Sequence, residues 1–381
     1  MPNPPLLLFL LSLSLLTTSH SLTKPSDISA LKSFLSSIKP SSIPSYSCLA
    51  SWNFSSDPCS VPRTTHFICG LTCTPDSLHI QSITLDSAGY SGTLSPFISQ
   101  LSQLTNLDLS NNYFFGPIPS SLSSLSLLTT LSLRSNSFSG SLPSSLSSLK
   151  FLQSLDISYN SLSGYLPNSL VSLSSLRRLD LSFNKFSGSL PKLPNSLIEL
   201  ALKNNLLSGS LSSSSFSGLY ALEVIELSSN SFSGSIQPWF FQLPSLQQVN
   251  LSNNSLTRVN IPAGSNSDLI AIDLSFNKIE GNLPSNFYTY PLLSSLSLRY
   301  NRLRGQIPLE FSKKESLKRL YLDGNYLNGK PPGGFFSGES LVSGCLGDNC
   351  LISCPVTSQL CLPSQKPTSI CRQAYGGKPR S

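Results

Sequence analysis

The nine residues from Leu152 to Asn160 read Leu-Gln-Ser-Leu-Asp-Ile-Ser-Tyr-Asn and contain the unit from which most of this chain is built. Leu155 and Ile157 alternate with polar neighbours, which predicts a short strand with one buried face. Asn160 predicts an inward turn, where its side-chain amide can satisfy backbone groups that burial would otherwise leave unpaired. The core continues beyond the turn through Leu162, Gly164, Leu166 and Pro167.

The same pattern defines eleven units between about Ile80 and Pro331, at steps of 21 to 25 residues. Ala88 replaces the asparagine in a degenerate first unit. The other units have it at Asn112, Asn136, Asn160, Asn184, Asn205, Asn230, Asn254, Asn277, Asn301 and Asn325. This period is typical of a solenoid in which each unit is buried only by its neighbours. The sequence therefore predicts an α/β leucine-rich repeat solenoid, a right-handed curved stack of about 11 repeats with a parallel sheet on its concave face and disulfide-stapled caps.

The segments outside the repeats predict a leader and two caps. Residues 1–21 contain an apolar run from Leu6 to Leu16 and then small residues, which favours a cleaved signal peptide; a membrane anchor would need a longer apolar run. Residues 22–79 form an N-terminal cysteine-rich cap, with an amphipathic helix expected from Asp27 to Ile38. The solenoid covers 80–331, and a C-terminal cysteine-rich cap with a basic tail covers 332–381.

All nine cysteines lie outside the repeats, four before them and five after. In an exported chain, two terminal clusters predict disulfide-stapled caps. The alternative is zinc, because the spacing of Cys69 and Cys73, or of Cys350 and Cys354, suits metal ligands. The odd count leaves one cysteine unpaired or available for another chain.

Positive charge is concentrated at the C-terminal end. Residues 1–298 carry 13 basic and 13 acidic side chains, whereas 299–381 carry 12 basic and 5 acidic. We interpret the basic side chains of the last two repeats as a candidate patch for an acidic partner, such as pectin, an anionic membrane surface or an acidic protein face. A solvated, solubilising end is the alternative. The patch residues are Arg302, Arg304, Lys313, Lys314 and Lys318.

The extended repeat resembles that of plant extracellular leucine-rich repeat proteins. Its pattern, Leu-Ser-x-Asn-x-Phe/Leu-Ser-Gly-x-Ile/Leu-Pro, occurs at 109–119, 133–143, 157–167 and 181–191. Ser-Trp-Asn-Phe-Ser-Ser-Asp-Pro-Cys at 51–59, followed by Cys-Gly-Leu-Thr-Cys at 69–73, is similar to the N-terminal cap of plant receptor-like proteins. The resemblance implies pairing of Cys59 with Cys73, Cys48 with Cys69, and Cys350 with Cys371; Cys354 and Cys361 are additional to the usual pattern.

The concave face carries the candidate ligand-binding residues, because a curved solenoid usually recognises its partner there. Aromatic side chains directly precede several of the repeat asparagines, and their rigid rings offer contact area at little entropic cost. We expect ligand contacts from Arg134, Tyr159, Phe183, Lys203, Phe276, Arg299, Tyr300, Arg319 and Tyr321. A column of acidic residues runs beside them at Asp108, Asp156, Asp180, Glu226 and Asp273, where aspartate also belongs to the generic repeat pattern.

Three sequons predict glycans at Asn53, Asn250 and Asn253. Glycans at the last two would block part of the concave face and favour recognition by the flanking repeats. Two irregularities stand out along the repeats: Thr257 to Asp268 loses the Gly-x-Ile-Pro element, and the unit ending at Asn205 is three residues short. Either could mark a docking site, although ordinary repeat drift also accounts for them.

Binding, not catalysis, is the predicted function. Histidine occurs only at positions 20, 66 and 79, and no phosphate-binding loop is present. An open row of repeat-encoded aspartates also lacks the paired, unequal carboxylates of a glycosidase. We therefore expect no enzyme activity, catalytic residue, cofactor or metal. The chain also lacks a basic helix or a stacking motif for nucleic acid.

We predict a secreted glycoprotein of the plant apoplast or cell wall that binds a peptide or a receptor-kinase ectodomain in cell-surface signalling or defence. The receptor-like resemblance suggests this role, and the sequence has no transmembrane segment, kinase domain or inserted island. The alternative is a polygalacturonase-inhibitor-like protein that inhibits a wall-degrading enzyme. A third hypothesis is a wall protein held to pectin by its basic end.

Overall fold

The protein is described by a computed structural model that covers residues 23–55, 57–60, 69–262, 267–337 and 342–376. The predicted signal peptide at 1–21 lies outside these residues. The strands are β1 Leu71–Cys73, β2 Ile80–Thr84, β3 Ser91–Thr93, β4 Asn106–Asp108, β5 Tyr113–Gly116, β6 Thr130–Ser132, β7 Ser137–Gly140, β8 Ser154–Asp156, β9 Ser161–Tyr165, β10 Arg178–Asp180, β11 Lys185–Gly188, β12 Glu199–Ala201, β13 Leu206–Gly209, β14 Val224–Glu226, β15 Ser231–Ile236, β16 Gln248–Asn250, β17 Ser255–Val259, β18 Ala271–Asp273, β19 Glu280–Asn282, β20 Ser295–Ser297, β21 Arg302–Gly305, β22 Arg319–Tyr321, β23 Tyr326–Gly329, β24 Ser343–Cys345 and β25 Cys350–Leu351.

Helices close the convex side and the ends of the chain. The α-helices are α1 Pro25–Ser36, α2 Ser213–Phe216 and α3 Thr368–Ala374. The 3₁₀ helices are Pro40–Ser42, Cys48–Ser51, Pro96–Gln100, Ser120–Ser124, Ser144–Ser148, Asn168–Ser172, Pro238–Gln242, Ser285–Thr289, Leu309–Lys313, Gly333–Phe336 and Gln359–Cys361. The convex side of the repeats is thus built mainly from 3₁₀ turns.

The concave sheet runs through the whole solenoid, with the order β1-β2-β4-β6-β8-β10-β12-β14-β16-β18-β20-β22-β24. Strand β1 of the N-terminal cap pairs antiparallel with β2, and the following strands pair in parallel. Leu155 of β8, Leu179 of β10 and Leu200 of β12 share one register and are buried. The alternation predicted from the sequence therefore aligns the buried leucines from coil to coil.

The asparagines form the predicted ladder. Asn160 shows the pattern: its Oδ1 accepts from Phe138 N at 2.8 Å, and its Nδ2 donates to Leu133 O at 2.9 Å and Ile157 O at 3.1 Å. One side chain thus satisfies backbone groups of two coils. The ladder continues to Asn349, which accepts from Leu327 N at 3.0 Å. The C-terminal cap therefore begins with one further coil, in addition to the about eleven predicted.

A second, lateral set of strands was not predicted from the sequence. These strands follow the ladder asparagines and form an eight-stranded sheet from β3 to β17 and a four-stranded sheet from β19 to β25. Their Ser- and Gly-rich sequences, such as Ser-Phe-Ser-Gly in β7, do not alternate over the length that signals a strand. The spacing of the coils brings these short segments into pairing distance.

The caps cover the first and last coils as predicted. The buried ring of Phe34 in α1 stacks on Phe114 of the second repeat, with centroids 5.9 Å apart. The disulfides are Cys48–Cys69, Cys59–Cys73, Cys350–Cys371 and Cys354–Cys361, and Cys345 is free. The three implied pairings are present, and the two additional cysteines pair with each other. In the described part of the chain, no helix has the length and apolar character that crossing a membrane requires.

Candidate functional site

The residues immediately before the ladder asparagines form a column along the edge of the concave sheet, which we call the rim column. From Asn111 to Tyr300 their φ angles lie between 51° and 56°, in the left-handed region. Asparagine tolerates this backbone, whereas a large side chain there is uncommon. The column reads Asn111, Ser135, Tyr159, Phe183, Asn204, Ser229, Asn253, Phe276 and Tyr300. Its four aromatic residues thus occupy a position that repeat geometry alone does not favour.

Four of the predicted residues meet in one group, the N-terminal cluster, which consists of Arg134, Tyr159, Phe183 and Lys203. The rings of Tyr159 and Phe183 stack with centroids 4.1 Å apart. The guanidinium of Arg134 lies 5.3 Å from the Tyr159 centroid, and Lys203 Nζ lies 5.9 Å from that of Phe183. A cation therefore stands at each end of the ring pair, at a distance that allows cation–π attraction.

The concave strands beside this cluster form a polar floor around a cavity of about 340 Å³. Arg178 and Glu199, which the sequence analysis did not select, form an ion pair there with Nε and Oε2 2.7 Å apart. Burial, with a smaller contribution from the neighbouring Asp156, raises the pKa of the Asp180 carboxyl above its ordinary value. The floor thus presents both signs of charge beneath the aromatic rim.

A second group, the C-terminal cluster, consists of Phe276, Arg299, Tyr300, Arg319 and Tyr321. Phe276 and Tyr300 stack with centroids 4.7 Å apart. The guanidinium of Arg299 lies 5.4 Å from the centroid of Tyr300 and 5.5 Å from that of Tyr321. Phe276, Arg299, Arg319 and Tyr321 also line a concave cavity of about 440 Å³.

Asp323 holds Arg299 in this position and was missed by the sequence analysis. Its carboxylate is 1% exposed and accepts from Arg299 Nη2 at 2.7 Å and Nε at 3.1 Å. Most repeats have serine at this place, so an acid two residues before Asn325 was the available signal. A buried carboxylate paired with a partly exposed guanidinium fixes the direction of the arginine.

The acidic column has a structural role in the coils. Asp156, Asp180 and Asp273 each accept a hydrogen bond from the backbone N of the serine two residues later, at 2.9 to 3.0 Å. Asp108 and Glu226 make the same bond at 2.9 Å. The repeat-encoded acids therefore stabilise the turn into the ladder, which favours the generic interpretation of this column.

The five predicted patch residues do not share one surface. Arg302 and Arg304 lie on the lateral strand β21, whereas Lys313, Lys314 and Lys318 lie on or after the convex 3₁₀ helix Leu309–Lys313. Lys314 Nζ donates to the carbonyls of Tyr288 and Tyr290, and burial lowers its pKa. Arg299 and Arg319 face the concave side. These basic residues are close in sequence and belong to the same coils, but the course of each coil places them on the lateral, convex and concave faces.

The sequons also lie on different surfaces. Asn53 and Asn253 are exposed, whereas Asn250 is partly buried and donates from Nδ2 to Glu226 Oε2 at 2.8 Å. Asn253 lies in the rim column between the two aromatic clusters. Among the described residues, no group of three or more His, Cys, Asp or Glu side chains could hold a metal ion.

These features define a repeat solenoid with a structured concave face, and comparisons with known proteins place it further. Leucine-rich repeat family models match residues 126–186 and 195–260, and also 103–125, 292–313 and 316–337, together about half of the chain. The chain belongs to the leucine-rich repeat family and resembles the ectodomain of a plant receptor-like protein.

Individual relatives agree with this assignment. Receptor-like protein 7 of Arabidopsis thaliana is 38% identical over 73 residues, which are 18% of this chain and 8% of that protein. The solved PEPR1–AtPEP1 structure has a TM-score of 0.76 at 33% identity, over 86% of this chain and 45% of that one. The plant peptide hormone receptor RGFR1 in complex with RGF2 has a TM-score of 0.64 at 32% identity, over 68% and 42%. The chain thus spans under a tenth of the curated relative and under half of each solved receptor chain.

Proposed function

We propose that this chain is a secreted recognition protein of the plant apoplast that binds an extended peptide along its concave face, in cell-surface signalling or defence. The observation that carries the proposal is the pair of stacked aromatic groups, each accompanied by cations, on one continuous sheet. Two solved relatives are, by their descriptions, a peptide hormone receptor with RGF2 and PEPR1 with AtPEP1, and both support a peptide as ligand.

The spacing of the clusters sets the length of the ligand. Tyr159 and Tyr300 are six coils apart along the ladder. At about 4.8 Å per coil, the spacing of neighbouring strands, that separation is about 29 Å. An extended peptide covers about 3.3 to 3.6 Å per residue, so about nine residues reach from one cluster to the other. We propose apolar side chains at both ends of such a peptide, seated on the two ring pairs.

Peptide display on the secreted chain tests this proposal. Libraries of random nine-residue and five-residue peptides are panned, and selected peptides are measured by isothermal titration calorimetry. We expect tight binders mainly among the nonapeptides, because only they reach both clusters. The variants Phe183→Asn and Phe276→Asn should each weaken them at least tenfold, because each removes one ring of a stacked pair. The fold should tolerate both changes, since the rim column already has asparagine at Asn111, Asn204 and Asn253.

Tyr220→Ala provides the matched control, because Tyr220 is 72% exposed and lies away from both clusters. It should leave affinity unchanged. Equal binding of pentapeptides and nonapeptides, or full affinity in both asparagine variants, would contradict the concave-face proposal. Inhibition of a polygalacturonase without binding of any peptide would favour the inhibitor function instead. Binding of a receptor-kinase ectodomain that survives both asparagine variants would also exclude the two clusters as its contact.

A further inference from the structure

The lateral sheet is interrupted at one place. Strand β17 ends the eight-stranded sheet and β19 begins the four-stranded one, and no strand pairing joins them in the described residues. The coil that contains β17 lacks the Gly-x-Ile-Pro element. In addition, the pairing of β15 with β17 shifts register, so that Gly234 faces Leu256 while Ser235 faces Arg258. The extra residue in β17 redirects its end, as a β-bulge does.

The interruption opens a groove. At its base, Lys278 N still donates to Leu256 O at 2.9 Å. Further along, a Cβ added at Gly281 would meet nothing within 4 Å, whereas one at the equivalent Gly305 would lie 2.7 Å from Asn282 of the preceding coil. Gly281 therefore faces open space where other lateral glycines face a neighbour. The groove has a volume of about 890 Å³.

Three arginines and one carboxylate line this groove: Arg258 on β17, Arg302 and Arg304 on β21, and Glu280 on β19. All four side chains are exposed. Among the described residues, none of the three arginines has a carboxylate oxygen within 4.0 Å, although Glu280 is directly in register with Arg302. The groove therefore has an excess of positive charge.

The C-terminal helix forms a fixed wall of the groove. Ile370, Gln373 and Ala374 of α3 line it. The hydroxyl of Tyr375, just after the helix, donates to Tyr326 O at 2.5 Å and accepts from Gly305 N at 3.1 Å. The Cys350–Cys371 disulfide joins the same helix to β25. The disulfide and the two hydrogen bonds hold the C-terminal helix in place, so the groove is formed before a ligand binds. This lowers the entropic cost of binding.

We propose that this lateral groove is a second binding site, separate from the concave face, that takes an extended acidic peptide segment. Within the described residues, the facing edges of β17 and β19 have no strand partner beyond the bond from Lys278 N to Leu256 O. These edges offer main-chain donors and acceptors at the spacing of a peptide backbone. Carboxylates of the peptide pair with Arg258, Arg302 and Arg304, because guanidinium groups match carboxylates in bidentate geometry. The exposed strand edges favour a peptide over an acidic polysaccharide, which has no main chain of that spacing.

Fluorescence anisotropy on the full secreted chain tests the site, with the fluorescein-labelled hexapeptide Glu-Val-Glu-Val-Glu-Val as probe. We expect saturable binding that weakens with salt, while the Gln-Val-Gln-Val-Gln-Val analogue should bind at least tenfold more weakly. The double variant Arg258→Gln/Arg302→Gln should lose at least tenfold in affinity. All substituted side chains are exposed, so secretion and thermal unfolding should stay unchanged.

Lys185→Gln is the matched control, since Lys185 is an exposed cation on β11 of the same lateral surface and lies outside the groove. It should bind the probe as the unchanged protein does. Undiminished binding in the arginine double variant, equal binding of the glutamine analogue, or no binding of the acidic probe would each overturn the proposal. Binding of trigalacturonate with no binding of the hexapeptide would also overturn it and identify an acidic carbohydrate as the ligand. Concave-face variants such as Phe183→Asn should not affect probe binding, which separates this site from the proposed peptide site.

Discussion

Tyr159 and Phe183 stack with an interplanar angle of 12° although 24 residues separate them in sequence. Both have φ angles of 54°, so each ring is presented from the same left-handed turn in successive coils. Two aromatic side chains that are one repeat period apart in sequence thus lie directly beside each other in successive coils. The stack is a consequence of the ladder geometry combined with the choice of residue, and the same holds for Phe276 and Tyr300.

We predict an energetic coupling between Tyr159 and Phe183. Offset aromatic pairs contribute about 0.5 to 1.5 kcal/mol beyond their buried area. A double-mutant cycle with Tyr159→Ser and Phe183→Ser, measured by urea unfolding, should yield a coupling in that range, because the rim column already has serine at Ser135 and Ser229. The cycle that combines Tyr159→Ser with Tyr300→Ser is the control and should be additive, because those residues are six coils apart. A coupling of zero in the first cycle would show that the rings stack without stabilising each other.

Replacing equivalent asparagines of the ladder should lower the free energy of unfolding by different amounts. Asn325 is fully buried; it accepts from Leu303 N at 3.0 Å and donates to Leu298 O and Leu322 O, both at 2.9 Å. Asn325→Ala leaves these groups unpaired, at a cost of about 1 to 3 kcal/mol for each buried group. Asn136 has the same role but is partly exposed, so that water can replace part of its bonding.

The comparison is made by urea unfolding of Asn325→Ala and Asn136→Ala. We expect the larger fall in the free energy of unfolding for Asn325→Ala. A larger fall for Asn136→Ala would mean that the position of a coil in the stack matters more than its burial.

The sequence predicted the concave sheet and the ladder because both repeat with every coil, and each repeat adds the same signal. It did not predict the lateral sheet, whose short Ser- and Gly-rich strands exist only once the coils are stacked. Asn349 was missed as a ladder residue because the concave strand of its coil has Gly344 where the repeat pattern has leucine. Arg302 and Lys313 were grouped because they are near in sequence, whereas the coil turns them onto different faces.

The individual clusters could be predicted only in part. The period shows that Tyr159 and Phe183 share a column, so their proximity follows from the sequence. The position of Arg299 between Tyr300 and Tyr321 depends on its bond to the buried Asp323, a side-chain choice outside the repeat pattern. The groove beside Gly281 lies next to the coil that lacks Gly-x-Ile-Pro, so its place was indicated by the sequence. Its shape depends on the register shift between β15 and β17, which that missing element does not specify.

The two neighbouring sequons should be used unequally when the chain is expressed in a eukaryotic secretory pathway. Asn253 is exposed on the rim column, and its Nδ2 donates to the hydroxyl of Ser229 at 3.2 Å. Asn250 is partly buried, and its Nδ2 donates to the charged Glu226 Oε2 at 2.8 Å, a shorter and stronger bond. We therefore expect a glycan on Asn253 and a lower occupancy on Asn250. Ser255→Ala and Ser252→Ala remove the respective sequons without changing either asparagine.

Intact-mass spectrometry of these two variants measures the difference. Ser255→Ala should reduce the mass by close to one full glycan, and Ser252→Ala by much less on average. The reverse pattern would mean that Asn250 is reached by the transferase before its coil is formed. A glycan on Asn253 would separate the N-terminal cluster from the C-terminal cluster, and a peptide that spans both would then have to pass beside it.

The raised pKa of Asp180 predicts a pH-dependent stability. Burial is the main cause of the shift, and the charge of Asp156 adds to it. Because the folded pKa of this carboxyl lies above its unfolded value, about 3.9 for aspartate, the folded state favours the protonated form. The ionised carboxylate therefore lowers stability above the folded pKa, and this penalty disappears as the pH falls below the unfolded pKa. Asp180→Asn retains an Oδ1 that can accept the 2.9 Å bond from Ser182 N. Because the change creates the sequon Asn-Leu-Ser at 180–182, both proteins are produced in a bacterial host that adds no N-glycan. We expect the variant to raise the free energy of unfolding in urea at pH 7, with a gain that shrinks toward pH 3.5. A variant that is less stable than the unchanged chain at pH 7 would show that the charge of Asp180 is needed in the fold, through its attraction to Arg134.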